Sequence, residues 1–268
     1  MPRDCQHIVI TGASNGIGAA LAVCYAAPGR VLGLVGRNRE RLAQVERQCR
    51  DRGAQVCIGQ LDINDHACLR QWLTDFDRRY PVDLLIANAG VTHAIGPDNA
   101  PEPLEAVCRL LATNLTATIQ TVDPVLHAMR QRGHGQIALT SSLAAFYGLP
   151  VTPAYCASKA ALKAWGEALR GQLAPEGIRI NIICPGFVES DMSTQFPGPR
   201  PFMISPQKAA VLIQRGLARN QALLQGLLHP HLLPLRAQLV NAGDENGPGQ
   251  ARAAHFPRIP PPRTGAGD

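Results

Sequence analysis

Short apolar runs alternate along most of the chain with longer segments whose apolar residues recur at helical spacing. Leu42, Val45 and Cys49, for example, lie on one face of a helix predicted for residues 39–52. Runs that are apolar throughout, without a polar face, are typical of a parallel sheet that helices cover on both sides. The strands predicted in this way are His7–Ile10, Val31–Val35, Val56–Leu61, Asp83–Ala87, Gln136–Thr140 and Arg179–Cys184.

This alternation predicts an α/β fold, a Rossmann-type doubly wound parallel sheet in a single domain with an irregular C-terminal tail. Crossovers in such a sheet are right-handed, and the ligand crevice lies beyond the carboxyl ends of the strands. We assign residues 1–222 to this domain. No internal repeat of about 20–50 residues is visible, which excludes a solenoid.

The regular pattern is lost toward the C-terminus. Residues 220–226 make only a weak seventh strand, and residues 223–240 are rich in leucine without a clean period. Three interpretations of residues 223–240 remain open. The segment is a lid over a substrate pocket, a contact with another subunit or a membrane surface, or a segment that has lost its regular pattern. The Gly- and Pro-rich residues 241–268 predict a disordered tail. His229 and His231 lack an acidic or cysteine partner, so no metal site is predicted.

The composition is that of an ordinary globular protein, with 268 residues, 46% apolar and 17% charged. The net charge of +6 has no accompanying Lys/Arg cluster interleaved with aromatic residues, which make up only 4% of the chain, so nucleic-acid binding is not expected. The eight cysteines form no C-x-x-C pair, so we predict buried small side chains in a reducing compartment rather than a zinc or dithiol site.

No signal peptide or integral membrane segment is predicted. The first strand begins too close to Met1 for an apolar signal region, and no run of about 18 apolar residues lacks a charge or a turn former. We therefore expect a cytoplasmic protein.

A glycine-rich segment, Thr11–Gly18, follows the first predicted strand and opens the first predicted helix. Its three glycines permit a tight turn and the close approach of a pyrophosphate to the helix N-terminus, where unpaired N–H groups favour an anion. An ordinary glycine turn is the alternative interpretation. The predicted dinucleotide contacts here are Gly12, Ser14, Asn15, Gly16, Ile17 and Gly18.

The second predicted strand is followed by Gly36 and Arg37. Sites that prefer NAD usually have an acidic residue at this end, which binds the ribose 2′-hydroxyl and would repel a 2′-phosphate. The guanidinium of Arg37 offers a planar fork of donors that suits a phosphate. The sequence therefore predicts NADP in preference to NAD, unless Arg37 is merely a solvated residue at the start of a charged helix.

A phenol and an ammonium stand four residues apart at Tyr155 and Lys159, and so share one face of a predicted helix. A neighbouring ammonium favours the phenolate, so the pair can move a proton to or from a substrate oxygen. Ser142 lies in the loop after a predicted strand, where its hydroxyl can hydrogen-bond the same oxygen. A surface helix pair is the alternative interpretation.

Together these residues resemble the short-chain dehydrogenase/reductase family, in the subgroup with T-G-x-x-x-G-x-G and Y-x-x-x-K motifs. The resemblance spans about residues 5–215 in the order and spacing of the family. It implies an NADP-dependent oxidoreductase that transfers a hydride between the cofactor and a ketone, an aldehyde or a secondary alcohol. The further cofactor contacts that it implies are Asp62, Asn88, Ala89, Gly90, Tyr155, Lys159, Pro185, Gly186, Val188 and Ser190.

The resemblance also implies roles in the reaction. Tyr155 would be the general acid in reduction and the base in oxidation, while Lys159 would lower its pKa and bind the nicotinamide ribose. Ser142 would polarise the carbonyl, and Asn114 would hold a water that connects Lys159 to solvent. Simpler interpretations stay open, in which Asn88 and Asn114 cap helix or strand ends and Asp62 is a helix N-cap.

The segment between Phe187 and Pro206 is expected to close over the substrate, and it predicts an apolar pocket. Apolar residues in excess of one sheet-facing stripe on the helices predicted for residues 103–130 and 155–173, together with the resemblance, predict a homodimer or homotetramer. A non-catalytic dinucleotide-binding or redox-sensing module and a membrane-surface reductase remain alternatives. The apolar residues of the substrate segment are Met192, Phe196, Phe202 and Met203.

Overall fold

The structure is a computed structural model that describes residues 5–95, 100–196 and 199–225. The strands within these residues are β1 (His7–Thr11), β2 (Val31–Gly36), β3 (Gln55–Gln60), β4 (Leu84–Ala87), β5 (Gly135–Thr140), β6 (Ile178–Ile183) and β7 (Leu223–Leu224). All of them pair in parallel, in the spatial order β3-β2-β1-β4-β5-β6-β7. The predicted doubly wound sheet is confirmed.

Helices cover both faces of the sheet, because the strands are apolar on both sides. Ile8 and Ile10 of β1 belong to one buried cluster with residues of α1, α2 and α8, whereas Val9 belongs to a second cluster with residues of α3, α5 and α6. The helices are α1 (Gly16–Tyr25), α2 (Arg39–Asp51), α3 (His66–Arg79), α4 (Leu104–Leu111), α5 (Ala117–Arg132), α6 (Pro153–Leu173), α7 (Asp191–Thr194) and α8 (Pro206–Ala218).

Two side chains secure the seventh strand, which the sequence predicted only weakly. The buried amide of Asn181 on β6 donates to the carbonyl of Gln221 at 2.6 Å. Arg170 of α6 donates to the carbonyl of Asn220 at 3.1 Å, and Asn220 has a left-handed φ of 49°. These contacts align Leu223–Leu224 with β6 although their strand propensity is low.

The described domain therefore extends past the predicted boundary at residue 222, as far as residue 225. The rest of the predicted leucine-rich segment 223–240, with His229 and His231, lies outside the described residues, as does the predicted tail 241–268. Within the described ranges, no helix has the length and apolar content needed to cross a membrane.

None of the eight cysteines, all of which lie within the described residues, forms a disulfide. Cys49, Cys156 and Cys184 are buried as predicted. The prediction of burial is wrong for Cys68 and Cys108, which are exposed because they lie on solvent-facing positions of α3 and α4.

Candidate active site

The glycine-rich segment lies where the strand order reverses between β1 and β4, the place where a ligand crevice is expected. Gly12 has a φ of 67°, and a Cβ there would lie 2.9 Å from the Cα of Ala89. A Cβ on Gly18 would lie 2.2 Å from the carbonyl oxygen of Gly12. The hydroxyl of Thr11 accepts the backbone N–H groups of Asn88 and Ala89 at 3.1 Å each. The glycine-rich loop, α1 and the residues after β4 thus approach one another so closely that positions 12 and 18 have no room for a side chain.

The N-terminus of α1 is open toward the loop that follows β6. Asn15 is its N-cap, and its side-chain oxygen accepts the N–H of Gly16 at 2.7 Å. Gly16 has a φ of 53°, and a Cβ there would lie 3.3 Å from the Cβ of Ser190. Ile17 packs against the cluster that contains Val188. A helix N-terminus without side-chain bulk at its first position fits the pyrophosphate of a dinucleotide.

A second group of predicted residues lies beside the carboxyl ends of β2 and β3. Arg37 donates to Asp62 across 3.4 Å, and both side chains are substantially exposed. Burial alone would raise the pKa of Asp62, but hydrogen bonds from Asn64 and the charge of Arg37 hold it below its ordinary value. The interpretation of Asp62 as a helix cap is wrong, because Asp65 caps α3.

Asn114 lies in a single π-turn, Ala112–Thr116, which divides the predicted helix 103–130 into α4 and α5. Its buried amide is paired with the backbone of Val91, accepting the N–H at 2.8 Å and donating to the carbonyl at 2.9 Å. It also donates to the hydroxyl of Ser158 at 3.1 Å. The capping interpretation is therefore wrong for Asn114. It describes Asn88 correctly, since that amide donates at 3.2 Å to the carbonyl at the end of β1.

The loop after β4 also approaches the predicted lysine. A Cβ on Gly90 would lie 3.1 Å from the Asn114 side-chain oxygen and 3.4 Å from the Lys159 nitrogen. On the other side, the carbonyl of Pro185 accepts the N–H of Leu143 at 3.0 Å, which ties the loop before Gly186 to the loop after β5. Predicted residues from four loops are thus brought to one edge of the sheet.

Ser142, Tyr155 and Lys159 come together at that edge. The phenol of Tyr155 makes a hydrogen bond with the Ser142 hydroxyl. The Lys159 nitrogen lies 5.6 Å from the centroid of the Tyr155 ring and donates to the carbonyl of Thr140 at 2.9 Å. Lys159 is only 4% exposed, which excludes the interpretation of a surface helix pair.

Burial controls the proton equilibria of both groups. It raises the pKa of Tyr155 above its ordinary value despite the hydrogen bond with Ser142, and it lowers the pKa of Lys159 to about 8. Desolvation is the largest effect on the pKa of Tyr155, and the Lys159 ammonium is directed to the carbonyl of Thr140. That Lys159 lowers the pKa of Tyr155 stays a prediction. Tyr155 keeps its proton at neutral pH, as a proton donor must.

The segment between Phe187 and Pro206, which is expected to close over the substrate, has its two ends paired with each other. Val188 and Ile204 form a parallel bridge, and the rings of Phe187 and Phe196 meet edge to face with centroids 5.0 Å apart. Phe202, at a φ of 56°, is 52% exposed beside the exposed Met203.

Sequence reasoning missed two groups of this site. The carbonyl of Thr140 leaves no side-chain signal, so only the structure shows that it holds Lys159. Ser158 stands inside the Y-x-x-x-K motif, and its position one residue before Lys159 could have suggested its contact with Asn114.

Comparison with known proteins agrees with this geometry. The family model of the short chain dehydrogenases matches residues 6–199. An uncharacterized oxidoreductase of Mycobacterium tuberculosis is 35% identical over 194 residues, 71% of this chain and 76% of that protein. The ketoacyl reductase HetN of a Nostoc species is 30% identical over 208 residues, 76% of this chain and 72% of that protein. A short-chain dehydrogenase from Sphingobium yanoikuyae in complex with NADPH is 26% identical, covers 92% of this chain and 98% of its own, and superposes with a TM-score of 0.75.

Fold and site together define an oxidoreductase that acts on CH–OH groups with NAD(P). The chain belongs to the short-chain dehydrogenase family.

Proposed function

We propose that the protein is an NADP-preferring reductase of apolar ketones or aldehydes, with the corresponding secondary or primary alcohol as product. The observation that carries this proposal is the convergence of Ser142 and Tyr155 with the buried Lys159. The nicotinamide, when bound, supplies the hydride that reaches the carbonyl carbon. Tyr155 then donates its proton to the carbonyl oxygen, which Ser142 orients by hydrogen bonding.

Two further groups serve this step. The Lys159 ammonium would bind the nicotinamide ribose, and the amide of Asn114 pairs with the backbone of Val91 in the loop after β4. A protonated Tyr155 can supply the proton that reduction of a carbonyl consumes, and its raised pKa keeps that proton in place at neutral pH. A purely dinucleotide-sensing module would not need this group of residues, which argues against the non-catalytic alternative.

The substrate class follows from the segment between Phe187 and Pro206. Its exposed Phe202 and Met203 offer apolar contact, and the ketoacyl reductase among the relatives is named for a substrate with a carbonyl on an acyl chain. A panel of ketones, aldehydes and β-ketoacyl thioesters of increasing chain length tests the proposal through NADPH oxidation. We expect turnover that rises with apolar length. Absence of NADPH oxidation across the panel, and of NADP⁺ reduction by the matching alcohols, would refute it.

The preference for NADP depends on Arg37. Replacing Arg37 with alanine should weaken NADPH binding by about 1.5–3 kcal/mol, the contribution of a charged hydrogen bond, while NADH binding changes little. Fluorescence titration with both cofactors measures the difference. Arg39, exposed two residues later on α2, provides the matched control. Equal losses for NADPH and NADH in Arg37→Ala would contradict the assignment.

We also propose a homo-oligomer that packs through α4 and α6. Leu104 is 77% exposed at the start of α4, and Ala160 and Ala164 are exposed on α6. Leu110, on the same helix, is buried in the core of its own chain and is not available for such a contact. Light scattering should give at least twice the chain mass of 28.7 kDa, and Ala164→Arg should shift it toward the monomer. A monomeric mass for the unaltered protein would overturn the proposal.

A further inference from the structure

One carboxylate joins three distant parts of the chain beside the cofactor region. Asp191, the first residue of α7, accepts the side-chain N–H of Asn15 at 2.9 Å and the guanidinium N–H of Arg41 at 2.7 Å. Both donors reach the same oxygen, Oδ2. The side-chain donors of Asn15 and Arg41 therefore meet at one carboxylate oxygen. No sequence motif predicts this contact.

This carboxylate lies between two parts of the site that favour phosphate groups, namely the N-terminus of α1 and the start of α2. Asn15 is the N-cap of α1, and the neighbouring Ser14 approaches β2, since a Cβ on Gly36 would lie 3.3 Å from its hydroxyl oxygen. Arg41 stands in the first turn of α2, whose N-cap, Asn38, directly follows Arg37. The end of β2 is where a doubly wound sheet positions the ribose that carries the 2′-phosphate. The converging donors therefore lie between the N-terminus of α1, which suits the pyrophosphate, and the start of α2, which follows the 2′ corner of the nucleotide.

The chemistry of the contact is that of an anion held by an amide and a guanidinium. A phosphate offers the same acceptor oxygens with a larger negative charge, and guanidinium groups bind it well. The side chains of Arg41 and Asp191 are 49% and 66% exposed, so their ion pair is weak. A phosphate dianion can therefore displace the Asp191 carboxylate at little cost.

We propose that Asp191 is an internal competitor for the 2′-phosphate of the cofactor, and that Arg41 is a second residue that selects NADP. Without cofactor, the carboxylate occupies the place of a phosphate oxygen between Asn15 and Arg41. Binding of NADPH displaces it and so releases Asp191 and the start of the substrate segment from the glycine-rich segment. This inference rests on the proposed preference for NADP.

A matched control stands two residues away in the same segment. Glu189 carries the same charge and is exposed, and its side chain has no hydrogen bond or ion pair to the described residues. Glu189→Gln therefore removes one negative charge near the cofactor without touching Arg41. It separates the specific contact from the general electrostatic effect of the lost charge.

The test measures dissociation constants of NADPH and NADH by nicotinamide fluorescence for the unaltered protein and its variants. Asp191→Asn should tighten NADPH binding by about 3- to 5-fold, the scale of a weak exposed ion pair, with NADH and the Glu189→Gln variant within about 1.5-fold of the unaltered protein. Arg41→Gln should weaken NADPH binding by about 10-fold and leave NADH unchanged. Adding Asp191→Asn to Arg41→Gln should then give little further gain, because the competitor has lost its charged partner and keeps only the neutral amide of Asn15.

Three results would overturn the inference: equal effects of Asp191→Asn and Glu189→Gln, equal tightening of NADPH and NADH, or a gain from Asp191→Asn that persists without Arg41. Equal tightening would move the contact to the pyrophosphate, which both cofactors share. The proposed NADP preference fails on a different measurement, namely tighter binding of NADH than of NADPH by the unaltered protein.

Discussion

Replacing Tyr155 with phenylalanine should lower the turnover of carbonyl reduction by about 10²–10⁴, the usual contribution of general acid–base catalysis, while folding and NADPH affinity survive. The change keeps the ring and deletes only the hydroxyl. Ser142 loses one hydrogen bond but still accepts the N–H of Ala144 at 3.1 Å, so its loop keeps a local anchor. Burial of the ring is unchanged, so the loss should fall on proton transfer alone.

Single-turnover NADPH oxidation with the best substrate of the carbonyl panel measures this loss, and cofactor binding is titrated separately. Tyr147→Phe is the matched control, because it removes the hydroxyl of an exposed tyrosine in the same loop region. If Tyr155→Phe kept nearly unaltered chemistry, the catalytic assignment would fall and a non-catalytic dinucleotide-binding module would become the better interpretation.

Replacing Lys159 with methionine should abolish most turnover and weaken cofactor binding, yet make the fold more stable. A buried ammonium is costly, which is why burial lowers the pKa of Lys159 to about 8. Methionine fills similar space without a charge, although the carbonyl of Thr140 loses its donor. We expect the free energy of unfolding at pH 7 to rise by about 1–3 kcal/mol.

The pH dependence of that gain identifies its cause. Below about pH 8 the folded chain holds a charged Lys159 at a cost, and between about pH 8 and the ordinary lysine pKa the unfolded chain binds a proton that the folded chain has released. The stability of the unaltered protein therefore gains from Lys159 as pH rises, and the advantage of Lys159→Met should shrink between pH 7 and about pH 9.5. Urea unfolding at both pH values measures it, with the exposed Lys208→Met as control. A gain that does not change with pH would mean that packing, not charge, is responsible.

The order of strands and helices could be predicted because each strand is apolar on both faces and each helix repeats its apolar residues. β2 and β5, for example, begin at or within one residue of the predicted positions. The seventh strand and the π-turn could not be predicted, because contacts between distant residues determine them. Asn181, on β6, aligns β7 through its hydrogen bond with Gln221. Asn114, in the π-turn, makes a hydrogen bond with Val91 after β4.

The candidate site divides in the same way. Convergence of Ser142, Tyr155 and Lys159 could be predicted, since motifs at the carboxyl ends of parallel strands meet at one edge. Their proton equilibria could not, because these depend on how much water the folded site excludes. The contact of Arg41 with Asp191 spans 150 positions along the chain and has no motif, so only the folded structure reveals it.

The bridge between Val188 and Ile204 closes the proposed substrate segment into a loop that is distinct from the elements carrying the catalytic residues. The bridge brings the two ends of the segment together. Ser142, in contrast, lies just after β5, and Tyr155 and Lys159 lie on α6. New sequence between the bridged residues could therefore change which carbonyl compounds are accepted without altering proton transfer. If this segment contacts the substrate as proposed, substrate range would be free to diverge through changes between the bridged residues, while Ser142, Tyr155 and Lys159 keep their places on the sheet.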